Sequence, residues 1–126
     1  MATIRKVLLV DDAPDSRMIA GLSLKTFGKW SVVTATTGLE ALELAAREQP
    51  DLILLDVMMP GMDGLTALQR LKEGDTTAAI PVIFMTAKTQ RHELERLLSL
   101  GARGVITKPI DPITLPDQIR RLLAAV

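Results

Sequence analysis

Five side chains capable of chemistry stand directly after short apolar runs. Asp11 and Asp12 follow "VLLV", Asp56 follows "LILL", Thr86 follows "VIFM" and Lys108 follows "GVIT". If these runs are strands of one parallel sheet, their ends emerge along one edge, and three carboxylates, a hydroxyl and an ammonium converge there. Acids brought so close raise one another's pKa unless a cation compensates. A hard divalent ion is the natural compensation, because Mg²⁺ is typically held by one or two carboxylates while keeping water and phosphate oxygens in its shell. Phosphoryl transfer needs an in-line nucleophile and positive charge around the moving oxygens more than it needs acid–base catalysis. In this set Asp56 can be the nucleophile, Asp11 and Asp12 the metal holders, Lys108 the charge on a phosphoryl oxygen and Thr86 a hydrogen-bond donor.

Taken singly, each residue has a plainer reading. Asp56 could be a strand-end acid capping a turn, Asp11 and Asp12 an N-cap cluster before "APDSR", and Thr86 a turn hydroxyl. Their shared address is what gives them weight. Met58, Met59 and Met62 are expected to pack a loop, since no Cys accompanies them and oxygen ligands dominate. His92, the single histidine, reads as a solvated residue of a fourth helix. Lys88, Arg91, Arg96 and Arg103 read as ordinary solvated charge more readily than as a partner surface.

Elements that could position such a set are visible in the pattern. Continuous apolar runs at 4–10, 30–35, 51–55, 80–85 and 103–107 suggest strands covered on both faces, as in a parallel sheet. Segments of helical period separate them. The first runs from about Pro14 to Phe27 and stops at Gly28. In the second, Thr37 and Glu40 have capping-box spacing, with Leu39, Leu42, Ala45 and Ala46 on one face. In the third, Asp63 caps the start, Leu65, Leu68 and Leu71 face inward and Gly74 ends it. The fourth turns Leu94, Leu97 and Leu98 inward and stops at Gly101. The last carries Leu115, Ile119, Leu122 and Leu123; Pro116 moves its start from Asp111–Pro112 toward Thr114. Trp30 is expected to pack at the start of the second strand. Strict alternation with right-handed crossovers gives a doubly wound α/β sheet, (βα)5 in three layers.

Composition bounds the function. A chain of 126 residues with 48% hydrophobic content suffices for one core, so a single domain over 1–126 is expected. Fifteen basic and fifteen acidic residues give zero formal net charge, which recommends neither nucleic acid nor an anionic membrane. Absence of cysteine removes disulfides and thiolate sites and agrees with a cytoplasmic location. No stretch approaches the roughly 18 apolar residues of a membrane span. Phe27, Trp30 and Phe84 are the only aromatics, so stacking platforms for a flavin or single-stranded nucleic acid are poorly supplied.

With "LLVDD" at 8–12, "LLDVMMPGMDG" at 54–64, "FMTA" at 84–87 and "TKPI" at 107–110, the chain resembles the response-regulator receiver domains, the CheY-like family of two-component signalling. The resemblance covers essentially the whole chain. It implies that Asp56 accepts a phosphoryl group from a sensor histidine kinase or phosphotransfer domain. It further implies Mg²⁺ or Mn²⁺ contacted directly by Asp12 and Asp56, through water by Asp11, and by the Met58 backbone carbonyl. Lys108, Thr86 and the Ala87 backbone would engage the phosphoryl oxygens, and a cis peptide would precede Pro109. The implied sheet order is 2-1-3-4-5. A downstream protein would dock on the face made by the fourth helix, the fifth strand and the last helix, or on the region of the first helix, and a homodimer is compatible.

Two positions depart from the family pattern. Val105 stands where a Tyr or Phe often precedes the active-site Lys by three residues, so an aromatic swing is unavailable. Ile110 replaces the common Phe after Lys-Pro. Other readings remain open at this stage. A Mg²⁺-dependent aspartyl-phosphate hydrolase wants an acid two residues after its nucleophile, where this chain has Met58. A flavin module lacks its phosphate loop. A degenerate receiver serving only as an interaction module would keep the fold without the chemistry. The leading expectation is a switch that assists only its own phosphorylation and dephosphorylation and is no ordinary enzyme.

Overall fold

The computed structural model describes residues 3–88 and 90–124. Within them, strands and helices alternate as β1 (Lys6–Val10), α1 (Pro14–Thr26), β2 (Ser31–Ala35), α2 (Gly38–Glu48), β3 (Leu52–Asp56), α3 (Gly64–Glu73), β4 (Val82–Thr86), α4 (Arg91–Ser99), β5 (Gly104–Thr107) and α5 (Leu115–Ala124). The sheet is five-stranded in the order β2-β1-β3-β4-β5, and every pairing is parallel. This is the doubly wound α/β architecture of order 2-1-3-4-5.

Alternation along the central strands separates two cores. Leu8, Val10, Ile53, Leu55, Val82 and Phe84 pack with residues of α2, α3 and α4. Val7, Leu9, Leu52, Leu54, Ile83 and Met85 pack with residues of α1 and α5. Because β1, β3 and β4 are covered on both faces, their sequences show no polar alternation. Each fully buried aliphatic side chain contributes roughly 1.5–3 kcal/mol. Trp30 closes the second core, with the Arg120 guanidinium 5.0 Å from its ring centre.

The helix ends follow local chemistry. Thr37 Oγ1 accepts the Glu40 N–H at 3.1 Å while Glu40 Oε1 accepts the Thr36 N–H at 2.7 Å. Asp63 caps α3 by accepting the Thr66 N–H at 2.9 Å. Pro116 sits in the first turn of α5, where its missing N–H costs no intrahelical bond.

Three expectations need correction. Leu39 is 63% exposed and Ala46 is exposed, because α2 lies against the sheet on Ala41, Leu44 and Ala45 instead. Leu98 is 48% exposed; α4 buries Leu97 alone. Ile80 and Pro81 precede the fourth strand, and Asp56 belongs to the third. Among the described residues no helix is long and apolar enough to cross a membrane.

Candidate functional site

The carboxyl edge of the sheet gathers the chemistry, and ladder hydrogen bonds fix its backbone. Asp11 N–H donates to the Ala35 carbonyl at 3.1 Å, Val57 N–H to Met85 at 3.1 Å and Lys108 N–H to Thr86 at 2.8 Å. Each functional side chain therefore leaves a backbone already held by a neighbouring strand. Crevices at this edge are where open α/β sheets bind ligands, and the β1/β3 boundary is the point where strand order reverses.

Carboxylate oxygens of Asp11, Asp12 and Asp56 lie within 4.8 Å of one another. Asp11 is fully buried and Asp56 nearly so, whereas Asp12 reaches solvent. Lys108 Nζ bridges the two buried acids, 3.0 Å from Asp56 Oδ2 and 3.2 Å from Asp11 Oδ2. Asp56 Oδ1 accepts the Met58 N–H at 3.2 Å. Asp11 is more fully engaged: Oδ1 accepts the Ala13 N–H at 3.0 Å, and Oδ2 also accepts the Ser16 hydroxyl at 2.5 Å. The Arg17 guanidinium donates to the Asp11 carbonyl at 2.9 Å, tying the first turn of α1 to the strand end.

These environments push the two buried acids apart. Burial raises the Asp11 carboxyl, but the Ser16 hydroxyl, the Ala13 N–H and Lys108 together outweigh it and hold it below the usual range. For Asp56 burial wins, reinforced by the charge of Asp11, and its carboxyl is raised despite Lys108 and the Met58 N–H. Burial pulls Lys108 down, yet Asp56 and Asp11 reverse this and keep its ammonium protonated beyond the ordinary lysine value. One ammonium thus faces two buried carboxylates and a third nearby, so the cluster holds unmatched negative charge. Three carboxylates offering oxygen alone fit a hard divalent cation such as Mg²⁺ or Mn²⁺ and disfavour softer metals.

Thr86 is buried at the end of β4, and its Oγ1 accepts the Lys88 N–H at 3.0 Å. Ala87 is exposed beside it. The Lys108–Pro109 peptide is cis. A cavity of about 370 Å³ lined by Ser16, Ile19, Ala87, Lys108, Pro109 and Ile110 opens on one side of the cluster. A second, of about 170 Å³, lies toward α4 and includes Met58, Thr86 and Lys88. The Met58 side chain is 61% exposed and lies at the rim. His92 is exposed; Arg91 pairs with Glu95 at 3.2 Å, and Arg103 donates to the Leu123 carbonyl at 3.0 Å, as ordinary surface charge does.

One residue at this edge escaped the motif reading, and a second was read only as part of a motif, without a role. Ser16 is the first, separated from Asp11 by a loop and a helix start. Gly64, the last residue of the 54–64 motif, is the second: a Cβ there would lie 2.4 Å from the Asp56 carbonyl oxygen and 2.9 Å from Val57 Cα, so α3 begins in direct contact with the Asp56 backbone. The glycine directly after a capping Asp was the available signal, since glycine at a helix start needs a packing reason.

Comparison with known proteins agrees with this geometry. The family described as response regulator receiver domain matches residues 7–120. Response regulator PleD of Caulobacter vibrioides is 44% identical over 117 residues, covering 93% of this chain but only 26% of PleD. Protein PilH of Pseudomonas aeruginosa is 37% identical over 119 residues, covering 94% of this chain and 98% of PilH. Among solved structures, Vibrio cholerae chemotaxis protein CheY4 superposes with a TM-score of 0.87 at 31% identity, covering 95% of this chain and 99% of that one. A response regulator from Desulfuromonas acetoxidans superposes with a TM-score of 0.83 at 30% identity, covering 94% and 96%.

Proposed function

The chain belongs to the response regulator receiver domain family, and from that membership we propose that Asp56 accepts a phosphoryl group from a phosphohistidine donor and thereby switches the domain's affinity for a partner. Members of this family are signalling modules that work with histidine kinases and downstream effectors; they are not enzymes turning over an external substrate. In this reading residues 1–126 form a single receiver domain of the cytoplasm.

The observation that carries the reading is Lys108 bridging Asp11 and Asp56 at 3.2 and 3.0 Å beside a third carboxylate. An Asp56 carboxylate oxygen attacks phosphorus as the P–N bond to the donor imidazole breaks. The new P–O bond makes an acyl phosphate, and the electron pair of the broken bond leaves with the imidazole. Asp56, raised above the usual carboxylate range, is the less stabilised and more nucleophilic of the buried acids. Lys108 turns from its carboxylate partners to an incoming phosphoryl oxygen, and the Thr86 hydroxyl and Ala87 N–H supply further donors. Asp11, Asp12, Asp56 and the Met58 carbonyl would hold Mg²⁺ or Mn²⁺, which when bound neutralises charge on the phosphoryl oxygens.

A dianionic group at Asp56 biases Thr86 and the β4–α4 loop toward a second arrangement, a shift between pre-existing states. With Val105 at the aromatic position, the response runs without a ring rotation. Exposed Met18, Ile19 and Leu22 on α1, beside the cavity that reaches Lys108, support docking of the phosphodonor on that side. The effector and any homodimer contact are assigned to the α4-β5-α5 face or α1.

The test is intact-protein mass spectrometry after incubation with acetyl phosphate or phosphoramidate, with and without Mg²⁺. The expected result is one added phosphoryl group that requires Mg²⁺ and is absent in Asp56→Asn. A folded wild type that gains nothing would overturn the phosphoacceptor role and leave a phosphorylation-independent interaction module.

A further inference from the structure

Ser16 belongs to none of the motifs above, yet its hydroxyl makes the shortest hydrogen bond in the acidic cluster, 2.5 Å to Asp11 Oδ2. We propose that Ser16 is a positioning residue for the metal, acting through Asp11 and Lys108; the inference rests on the receiver reading of the same cluster.

The argument is one of lone pairs. Each oxygen of an ionised carboxylate accepts about two hydrogen bonds. Asp11 Oδ2 takes the Ser16 hydroxyl and Lys108 Nζ, and is saturated. Asp11 Oδ1 takes the Ala13 N–H alone, leaving one acceptor position for the cation or a water in its shell. Asp11 is fully buried, so its donors come from the protein. Ser16 thereby fixes the carboxylate's rotation and shares the oxygen that would otherwise belong to Lys108 alone. Without the hydroxyl, Lys108 is drawn toward Asp11 and away from Asp56, and the open oxygen loses its fixed aim. Partners that orient a metal ligand in this way commonly matter by about 10–100-fold in metal affinity.

The position on α1 explains why a hydroxyl can do this. Ser16 lies in the helix's first turn, two residues after Pro14, where the chain doubles back over the strand end it has just left. It also lines the cavity of about 370 Å³ with Lys108, so it stands between that groove and the acid cluster.

The experiment is Mg²⁺ titration of the unphosphorylated protein by isothermal calorimetry, for wild type, Ser16→Ala and Ser16→Thr, with melting temperatures recorded alongside. Alanine is a good helix former, so Ser16→Ala is expected to stay folded, melting below wild type by the loss of one hydrogen bond to a charged group, while its Mg²⁺ Kd weakens about tenfold. Ser16→Thr, which restores the hydroxyl, is expected to return to within about twofold of wild type, a recovery that a packing role for the side chain would not produce. Equal Kd values for wild type and Ser16→Ala, or a Ser16→Thr as weak as Ser16→Ala, overturn the role of Ser16 alone. A wild type that binds no Mg²⁺ removes the metal reading, and this inference with it.

Discussion

Each end of the sheet carries one lysine with two acids, and the two trios behave differently. At the amino end Lys6 Nζ lies 3.1 Å from Glu48 Oε1, while Asp51 Oδ2 accepts the N–H groups of Arg5 and Lys6 at 2.8 and 3.0 Å. At the carboxyl end Lys108 meets Asp11 and Asp56 at similar distances. Burial separates them: the Lys6 and Glu48 side chains are 36% and 30% exposed, against 19% for Lys108, 0% for Asp11 and 7% for Asp56. In water each amino-end charge is answered separately, by an ammonium or by backbone donors. At the carboxyl end two buried carboxylates share one ammonium, and the remaining negative charge asks for a cation. Lysine and carboxylates therefore tie β1 to its neighbours at one end and gather unmatched buried charge at the other.

The largest expected effect breaks the carboxyl-end trio. Lys108→Met keeps most of the stem and removes the charge, and the rate of Asp56 phosphorylation by acetyl phosphate at saturating Mg²⁺ is expected to fall about 10²–10³-fold, the usual loss for one donor to developing negative charge. Stopped quantification of phosphoprotein over time measures it. A rate within about threefold of wild type would put Lys108 in the same class as Lys6.

Packing gives the next effect. Gly64 and Gly61 lie in the same β3–α3 region, one against backbone and one in open space. A Cβ at 64 meets the Asp56 carbonyl at 2.4 Å, and backbone on both sides cannot give way. Gly64→Ala is expected to cost about 1–3 kcal/mol by denaturant unfolding, in the overpacking range. Gly61 has φ +75 with nothing within 4 Å of an added Cβ, so Gly61→Ala carries only the left-handed penalty of about 1 kcal/mol. Equal losses would mean that α3 is not seated on the Asp56 backbone.

This contrast also shows what the sequence could reveal. Strand ends were legible because fully covered strands read as unbroken apolar runs, so the sequence alone places Asp11, Asp12, Asp56, Thr86 and Lys108 on one edge. Helix faces were less legible. In α2 the residues against the sheet are Ala41, Leu44 and Ala45, since small side chains let a helix approach closely, and hydrophobicity alone favours the larger Leu39 that faces solvent. In α4 Leu97 and Leu98 are equally apolar, so hydrophobicity could not tell that only Leu97 turns inward. Ser16 was invisible because its partner Asp11 lies across a loop and a helix start, a contact that no spacing rule encodes.

A smaller effect separates the two buried acids by pH, in chelator. Asp11, held below the ordinary carboxylate value of 3.8, contributes stability that is full above that value and lost as pH falls through its lower folded pKa. Asp56, raised above 3.8, works in the opposite sense: the folded protein gains stability as pH falls through its raised pKa toward 3.8, and at neutral pH its charge is a cost. Asp56→Asn is therefore expected to raise the neutral-pH melting temperature and to flatten the rise that wild type shows as pH falls toward 3.8, while Asp11→Asn lowers the neutral-pH melting temperature. Melting curves against pH for the three proteins decide it. Shifts of the same sign would show that the two acids share one environment.

The smallest effect belongs to the amino end, and it completes the comparison. Lys6→Met removes the ion pair with Glu48, whose carboxyl the Lys6 ammonium holds below its usual range. Both side chains are about a third exposed, so water solvates the freed carboxylate and salt already screens the pair. The Asp51 contacts come from backbone N–H groups and survive the substitution. The melting temperature is expected to move by no more than about 2 °C, and phosphorylation of Asp56 by acetyl phosphate is expected to keep its rate. A Lys6→Met protein with slowed phosphorylation would mean that charge at one end of the sheet is felt at the other, and burial alone would no longer explain why one trio is reactive.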